Sequence, residues 1–279
     1  MTTPTTLETI LLEQESARAL LAPERGGMVT RFSVGGRELL YLDEATLLDR
    51  SKNVRGGNPV LFPSPGPLAN ERFAFGGKTG SMKQHGFARQ RAWKATDVDR
   101  SSATILLSSD DATRAEFPWD FELRYRHVLG ASALRIEQRV ENKSREPMPF
   151  ALGFHPYFAV AEADKAKVSI PTKATRAFDN VTKKEVPIEG PIDLTQKEVD
   201  LHLVDHGSSE AALHLPDGKR IVIACSPECR RWVIWTLSGK PFVCLEPWTA
   251  AANALNDGRD LVVLAPGAVH ESFVEMRLS

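Results

Sequence analysis

Apolar and polar residues alternate with a period of two wherever this chain is most strongly patterned. Across Phe121–Leu129, Phe121, Leu123, Tyr125 and Leu129 alternate with Glu122, Arg124 and Arg126. Across residues 134–141, Leu134, Ile136 and Val140 alternate with Arg135, Glu137, Arg139 and Glu141. Period two marks a strand with one face in a core and the other in water, because successive side chains point to opposite faces. The intervening Gly130-Ala131-Ser132-Ala133 suits a hairpin loop. The same grammar recurs around Pro216-Asp217-Gly218, which separates the short apolar runs 213–215 and 221–224, and around Ser238-Gly239-Lys240, between runs 232–236 and 242–245. Residues 270–278 alternate again through Ser272, Val274, Met276 and Leu278. Residues 7–21 fit two templates. Leu7, Ile10, Leu11 and Leu20-Leu21 stand at spacings that an amphipathic helix would also use, and periodicity leaves that open.

Composition agrees with many short strands. The 19 glycines and 18 prolines are scattered between short apolar runs, not gathered into a linker. No repeat divides the 279 residues, so residues 1–279 are expected to form one all-β sandwich or barrel domain. The formal charge of −1, from 35 basic and 36 acidic side chains, excludes a nucleic-acid partner held by a basic excess. The three cysteines, Cys225, Cys229 and Cys244, are too few and too unevenly placed for a disulfide framework and read as reduced thiols. The first residues lack the basic and apolar regions of a secretory peptide, and no apolar run reaches the ~18 residues that span a bilayer. A soluble, cytoplasmic protein with no membrane association is expected.

Several familiar sites are absent. Gly77-Lys78-Thr79 resembles the tail of a phosphate-binding loop, but Arg72 stands where that loop needs its first glycine, so Gly76-Gly77 reads as a hairpin turn. There is no G-x-S-x-G elbow and no G-x-G-x-x-G fingerprint. His202 and His206 are four apart, but in a strand they would not share a helix face, and no metal is expected there. Three other stretches wedge titratable residues among aromatics, prolines and glycines: residues 55–63 followed by Gln84-His85-Gly86-Phe87-Ala88-Arg89; Gly153-Phe154-His155-Pro156-Tyr157-Phe158; and Cys244-Leu245-Glu246-Pro247-Trp248-Thr249 running on to Asn256. Such surroundings desolvate a group and move its pKa, which acid–base chemistry uses. Any one of these histidines alone is more simply a hydrogen-bonded structural residue.

Together, GGNPVLFP, QHGFAR, GFHPYF and CLEPWTAAANALN, in this order, resemble the aldose 1-epimerase (galactose mutarotase-like) family, and more closely its shorter branch, which includes the hexose-6-phosphate epimerases. The resemblance runs from Pro23–Gly27 to the last strand. It implies a large antiparallel β-sandwich with a sugar site in the concave face of one sheet, and it turns residues 7–21 into strands joined by a turn.

The implied activity is the interconversion of α and β anomers of a free hexose or hexose 6-phosphate, with no cofactor and no metal. By motif, Glu246 would be the base and His155 the acid, the latter with an intrinsic pKa near neutrality and little need of tuning. Gln84, His85, Arg55 and Arg89 would contact the sugar, and Asp200 would bind it, with Asp205 as the alternative acid. Arg72, Lys83 and Arg91 are further cations close to the site in sequence. The partner would be a small sugar or sugar phosphate, and the protein a monomer or weak dimer. A non-catalytic carbohydrate-binding protein on the same fold is the alternative; the presence of both Glu246 and His155 discriminates against it.

Overall fold

A computed structural model describes residues 7–279. Residues 7–21 are strands. Ile10–Gln14 and Ala17–Ala22 pair antiparallel through a turn at Glu15-Ser16. Once that turn is placed, the pattern has period two: Leu12, Ala17, Ala19 and Leu21 are buried, while Arg18 stays exposed. The turn interrupts the strand period, which is why the undivided segment also matched a helix.

Two large antiparallel sheets dominate. In the seven-stranded sheet the order is Glu210–His214, Arg220–Cys225, Val269–Leu278, Ala133–Asn142, Phe121–Leu129, Ser102–Ser108 and Lys94–Val98. In the eight-stranded sheet it runs Lys184–Pro187, Arg176–Asp179, Glu198–Leu203, Arg231–Leu237, Phe242–Trp248, Gly153–Phe154 and Val60–Leu61, with Tyr157–Ala159 also pairing with Phe242–Trp248. The hairpins read from sequence are present, including Arg72–Phe75 with Lys78–Ser81 around Gly76-Gly77. The three α-helices among the described residues are four to six residues long. None is long and apolar enough to cross a membrane.

One buried cluster extends from Leu12 to Met276 and takes side chains from both sheets: Leu123, Tyr125 and Ile136 from the seven-stranded sheet, Trp232, Ile234, Val243 and Leu245 from the eight-stranded one. Burying side chains of this size contributes roughly 1.5–3 kcal/mol each. The eight-stranded sheet directs alternate residues into this core, so the residues between them are turned to its opposite face. The three cysteines are free and buried.

Candidate functional site

The opposite face of the eight-stranded sheet is polar, and register decides which groups meet on it. Along Phe242–Trp248, Val243 and Leu245 join the main core, leaving Cys244, Glu246 and Trp248 on the other face. Along Glu198–Leu203 the alternation puts Val199 and Leu203 in the core and presents Glu198, Asp200 and His202. Cross-strand pairing then sets His202 opposite Val233 and Val233 opposite Glu246, and in the next row Asp200 opposite Trp235 and Trp235 opposite Cys244.

Two loops close over this face. In the first, His85 has φ of 75° and Gly86 of 66°, and a Cβ on Gly86 would lie 2.1 Å from the Phe62 carbonyl oxygen. Only glycine allows that approach, which carries His85 and Arg89 to the sheet. The second loop bears His155 between the short strands Gly153–Phe154 and Tyr157–Ala159, with its backbone N–H donating to Pro59 O at 3.1 Å.

The result is a cavity of 390 Å³, lined by all seven residues singled out in the sequence: Arg55, Gln84, His85, Arg89, His155, Asp200 and Glu246. Asp205 lies elsewhere, accepting from Thr175 and Arg176 in a turn. Arg72 and Lys83 do not line the cavity, and Arg91 is ion-paired to Glu116. Trp248, read from the sequence as a neighbour that fixes and desolvates Glu246, also lines the cavity. Sequence reading missed Asn53, Tyr157, Asn180, Glu198, His202 and Trp235. His202 was accessible in principle: it is two residues from Asp200, so strand alternation alone puts the pair on one face.

At the centre, His155 Nδ1 lies 3.4 Å from Glu246 Oε1, and Trp248 Nε1–H donates to Glu246 Oε2 at 3.1 Å. His155 stacks on Tyr157, with ring centroids 4.6 Å apart, and meets Trp235 and His85 edge-on. His85 Nδ1 donates to the Pro65 carbonyl, which can only accept, so Nε2 is left as an acceptor for a ligand hydroxyl. Asn180 Nδ2 donates to Asp200 Oδ2 at 2.7 Å, and His202 Nε2 sits 3.1 Å from Asp200 Oδ1. The Arg55 guanidinium lies over the Trp235 ring, 5.7 Å from its centroid.

Burial sets the protonation of the pair. Desolvation, with Asp200 adding repulsion, pushes the Glu246 carboxyl well above the ordinary carboxylate range. Desolvation, with His85 and Arg89 adding to it, pushes His155 well below its ordinary value. The expectation that His155 needs little tuning is therefore corrected: a buried imidazole among cations resists a charge. His85 is pushed down to about 3, chiefly by desolvation and then by Arg89. Donor atoms of His155, Cys244 and Glu246 lie within 4.8 Å of one another, so a metal ion held there would occupy the same two groups.

A polar cavity on the outer face of a many-stranded antiparallel sandwich, with a carboxyl and an imidazole side by side among sugar-sized polar groups, defines a carbohydrate-active β-sandwich enzyme. The chain belongs to the aldose 1-epimerase family, whose model matches residues 8–277. It is 37% identical to the Slr1438 protein from Synechocystis sp. PCC 6803, whose crystal structure superposes with a TM-score of 0.95 over 100% of this chain and 98% of that one. A protein of Cenchrus ciliaris named "Putative glucose-6-phosphate 1-epimerase" is 27% identical over 96% of this chain and 80% of its own length. A galactose mutarotase-like protein from Lactobacillus casei, 24% identical, shares the fold with a TM-score of 0.79 over 98% of this chain and 100% of that one. The protein is an isomerase of the epimerase and mutarotase type, acting on sugar anomers.

Proposed function

We propose that this cavity opens and recloses the ring of a hexose 6-phosphate, with Glu246 and His155 as the acid–base pair. The observation that carries the pairing is the 3.4 Å separation of His155 Nδ1 and Glu246 Oε1 in a buried pocket. Ring opening needs a proton removed from the C1 hydroxyl and one delivered to the ring oxygen. Burial favours a net-neutral pair, with Glu246 protonated and His155 uncharged. In that state the Glu246 proton passes to His155 Nδ1 as His155 Nε2–H is given to the ring oxygen, and the freed carboxylate takes the proton of the C1 hydroxyl. The pair ends with as many protons as it began, and closure reverses each transfer on the other face of C1. Each group contributes ~10²–10⁴-fold to such a step.

Sugar hydroxyls have partners in Asp200, His202, Asn180, Gln84 and His85 Nε2, all on the cavity wall. Arg55 and Arg89 are the cavity's cations, and neither has a carboxylate partner among the described residues. A phosphate dianion is the ligand group that two such guanidinium groups match best, through charge-assisted and bidentate hydrogen bonds. The name borne by the Cenchrus ciliaris relative points the same way.

The test is polarimetry of freshly dissolved α-D-glucose, α-D-galactose and α-D-glucose 6-phosphate, with and without the protein. Acceleration is expected for all three, and strongest for the phosphorylated sugar. Faster turnover of plain glucose would remove the phosphate from the reading while leaving the acid–base pair.

A further inference from the structure

Beside the sugar cavity lies a second one, of 280 Å³, which shares Asn53, Val54 and Arg89 with it. Its remaining wall includes Arg25, Arg50, Lys52 and Arg91, and no carboxylate among the described residues lines it. Three of these cations are neutralised from outside: Arg50 by Glu24 at 2.6 Å, Lys52 by Asp49 at 3.2 Å, and Arg91 by Glu116. Among the described residues, Arg25 and Arg89 form no ion pair and hydrogen-bond to carbonyl groups. Arg25 Nη2 donates to the carbonyls of Thr46, Asp49 and Lys52, and Arg89 Nη2 donates to that of Gln84.

The donor count does not close. The Nε–H groups of Arg25, Arg89 and Arg91 are all buried without a partner, and all three residues line this one cavity. Arg25 itself is only 9% exposed. Buried polar groups are ordinarily satisfied, and unpaired cations in a partly dry pocket repel one another. Glycine permits the close approach of the two segments: a Cβ on Gly26, whose φ is 82°, would lie 2.2 Å from the Arg89 carbonyl oxygen. Those Nε–H groups have almost no exposed surface, so the charge of the wall selects the occupant: five cations and no carboxylate match a small tetrahedral oxyanion.

We propose that this cavity is a second anion site, distinct from the sugar cavity, which takes one free inorganic phosphate. The site stands whether or not the isomerised sugar is phosphorylated. Because Arg89 borders both cavities, an anion here and a phosphorylated sugar in the first cavity draw on one guanidinium, and each weakens the other's binding reciprocally.

The experiment is isothermal titration of inorganic phosphate into the full-length protein, at ionic strength matched with chloride. Wild type, the double variant Arg50→Gln/Lys52→Gln and Arg55→Gln are compared, each with and without saturating glucose. Arg50 and Lys52 have side chains 51% and 64% exposed and lie outside the acid–base machinery, so the double variant should keep its melting temperature and its turnover of glucose. One phosphate per chain is expected, bound ~10-fold or more weakly by the double variant, little changed by Arg55→Gln, and retained when glucose fills the first cavity. Should the double variant melt lower, Lys52→Gln alone serves, with a smaller loss in the same direction. An unchanged KM for glucose 6-phosphate in the double variant is expected; a KM raised ~10-fold would place the substrate's own phosphoryl group here and overturn a separate site. Phosphate displaced by glucose and weakened only by Arg55→Gln would put the anion in the sugar cavity and overturn the proposal, as would no saturable binding by wild type.

Discussion

The indole N–H of Trp248 donates to Glu246 Oε2 at 3.1 Å from two residues further along the same strand, so the group that desolvates the carboxyl also stabilises its charged form. Trp248→Phe keeps an aromatic wall and removes the donor. The Glu246 pKa is then expected to rise further, carrying the alkaline limb of the kcat profile to higher pH and lowering kcat ~10-fold. A limb that moved to lower pH would contradict the assignment of that limb to Glu246.

Glu246→Gln and His155→Asn are each expected to lower kcat ~10²-fold or more in a mutarotation assay. Stability should respond differently. A carboxyl whose pKa is raised on folding contributes stability that is present below its unfolded value of 4.5 and is lost as pH rises through the folded value. An amide in place of that carboxyl does not titrate and carries no such loss. Relative to wild type, the melting temperature of Glu246→Gln should therefore gain as pH rises above the unfolded value of 4.5 toward the raised folded value. Near-normal kcat in either variant would remove that residue from the mechanism.

Three buried histidines give the fold an acid-sensitive profile. His85 is pushed down to about 3 and His127 to about 4, both chiefly by desolvation, and His155 is also driven well below 6.5. Their folded values lie below the unfolded value, so their contribution is complete above about pH 6.5 and is lost as pH falls toward the folded values. Unfolding near pH 5 should take up about two to three protons at these sites. His127 faces the core of the seven-stranded sheet, away from the sugar cavity. His127→Leu should flatten the plot of unfolding free energy against pH by about one proton. An unchanged slope would show that His127 is already charged in the folded protein.

Arg89→Lys keeps the charge at the cavity wall and loses the planar fork. KM for glucose 6-phosphate should rise ~10-fold while kcat/KM for glucose stays within about twofold. Equal losses on both sugars would mean that Arg89 contacts ring hydroxyls or holds the Gln84 carbonyl for structural reasons.

Much of the fold was legible because burial on one face writes itself into the chain as a period of two. Phe121–Leu129 is the clearest case: its alternation predicts the strand at its observed limits. Residues 7–21 were less legible, since a turn at Glu15-Ser16 breaks the period and periodicity alone could not exclude a helix. Six of the seven candidate residues were legible as polar types in unusual company, among prolines, glycines and aromatics, and Asp200 only through the family resemblance; all seven meet in one cavity.

Tertiary structure decided how those groups behave. Nothing local distinguishes Asp200 from Asp205; the first is turned into the cavity by strand alternation, and the second caps a turn with Thr175 and Arg176. His155 looked like a histidine near neutrality because its neighbours in sequence carry no charge. Its low pKa comes from desolvation and from His85 and Arg89, which belong to a distant segment of the chain. The basic cavity around Arg25 and Arg89 was equally hidden, since a net charge of −1 averages out a pocket assembled from three separate segments. Sequence determines which faces are buried, because hydrophobic burial accumulates residue by residue. Only the fold determines pKa values and donor counts, because electrostatic and hydrogen-bonding energies depend on which distant segments come within a few ångströms of one another.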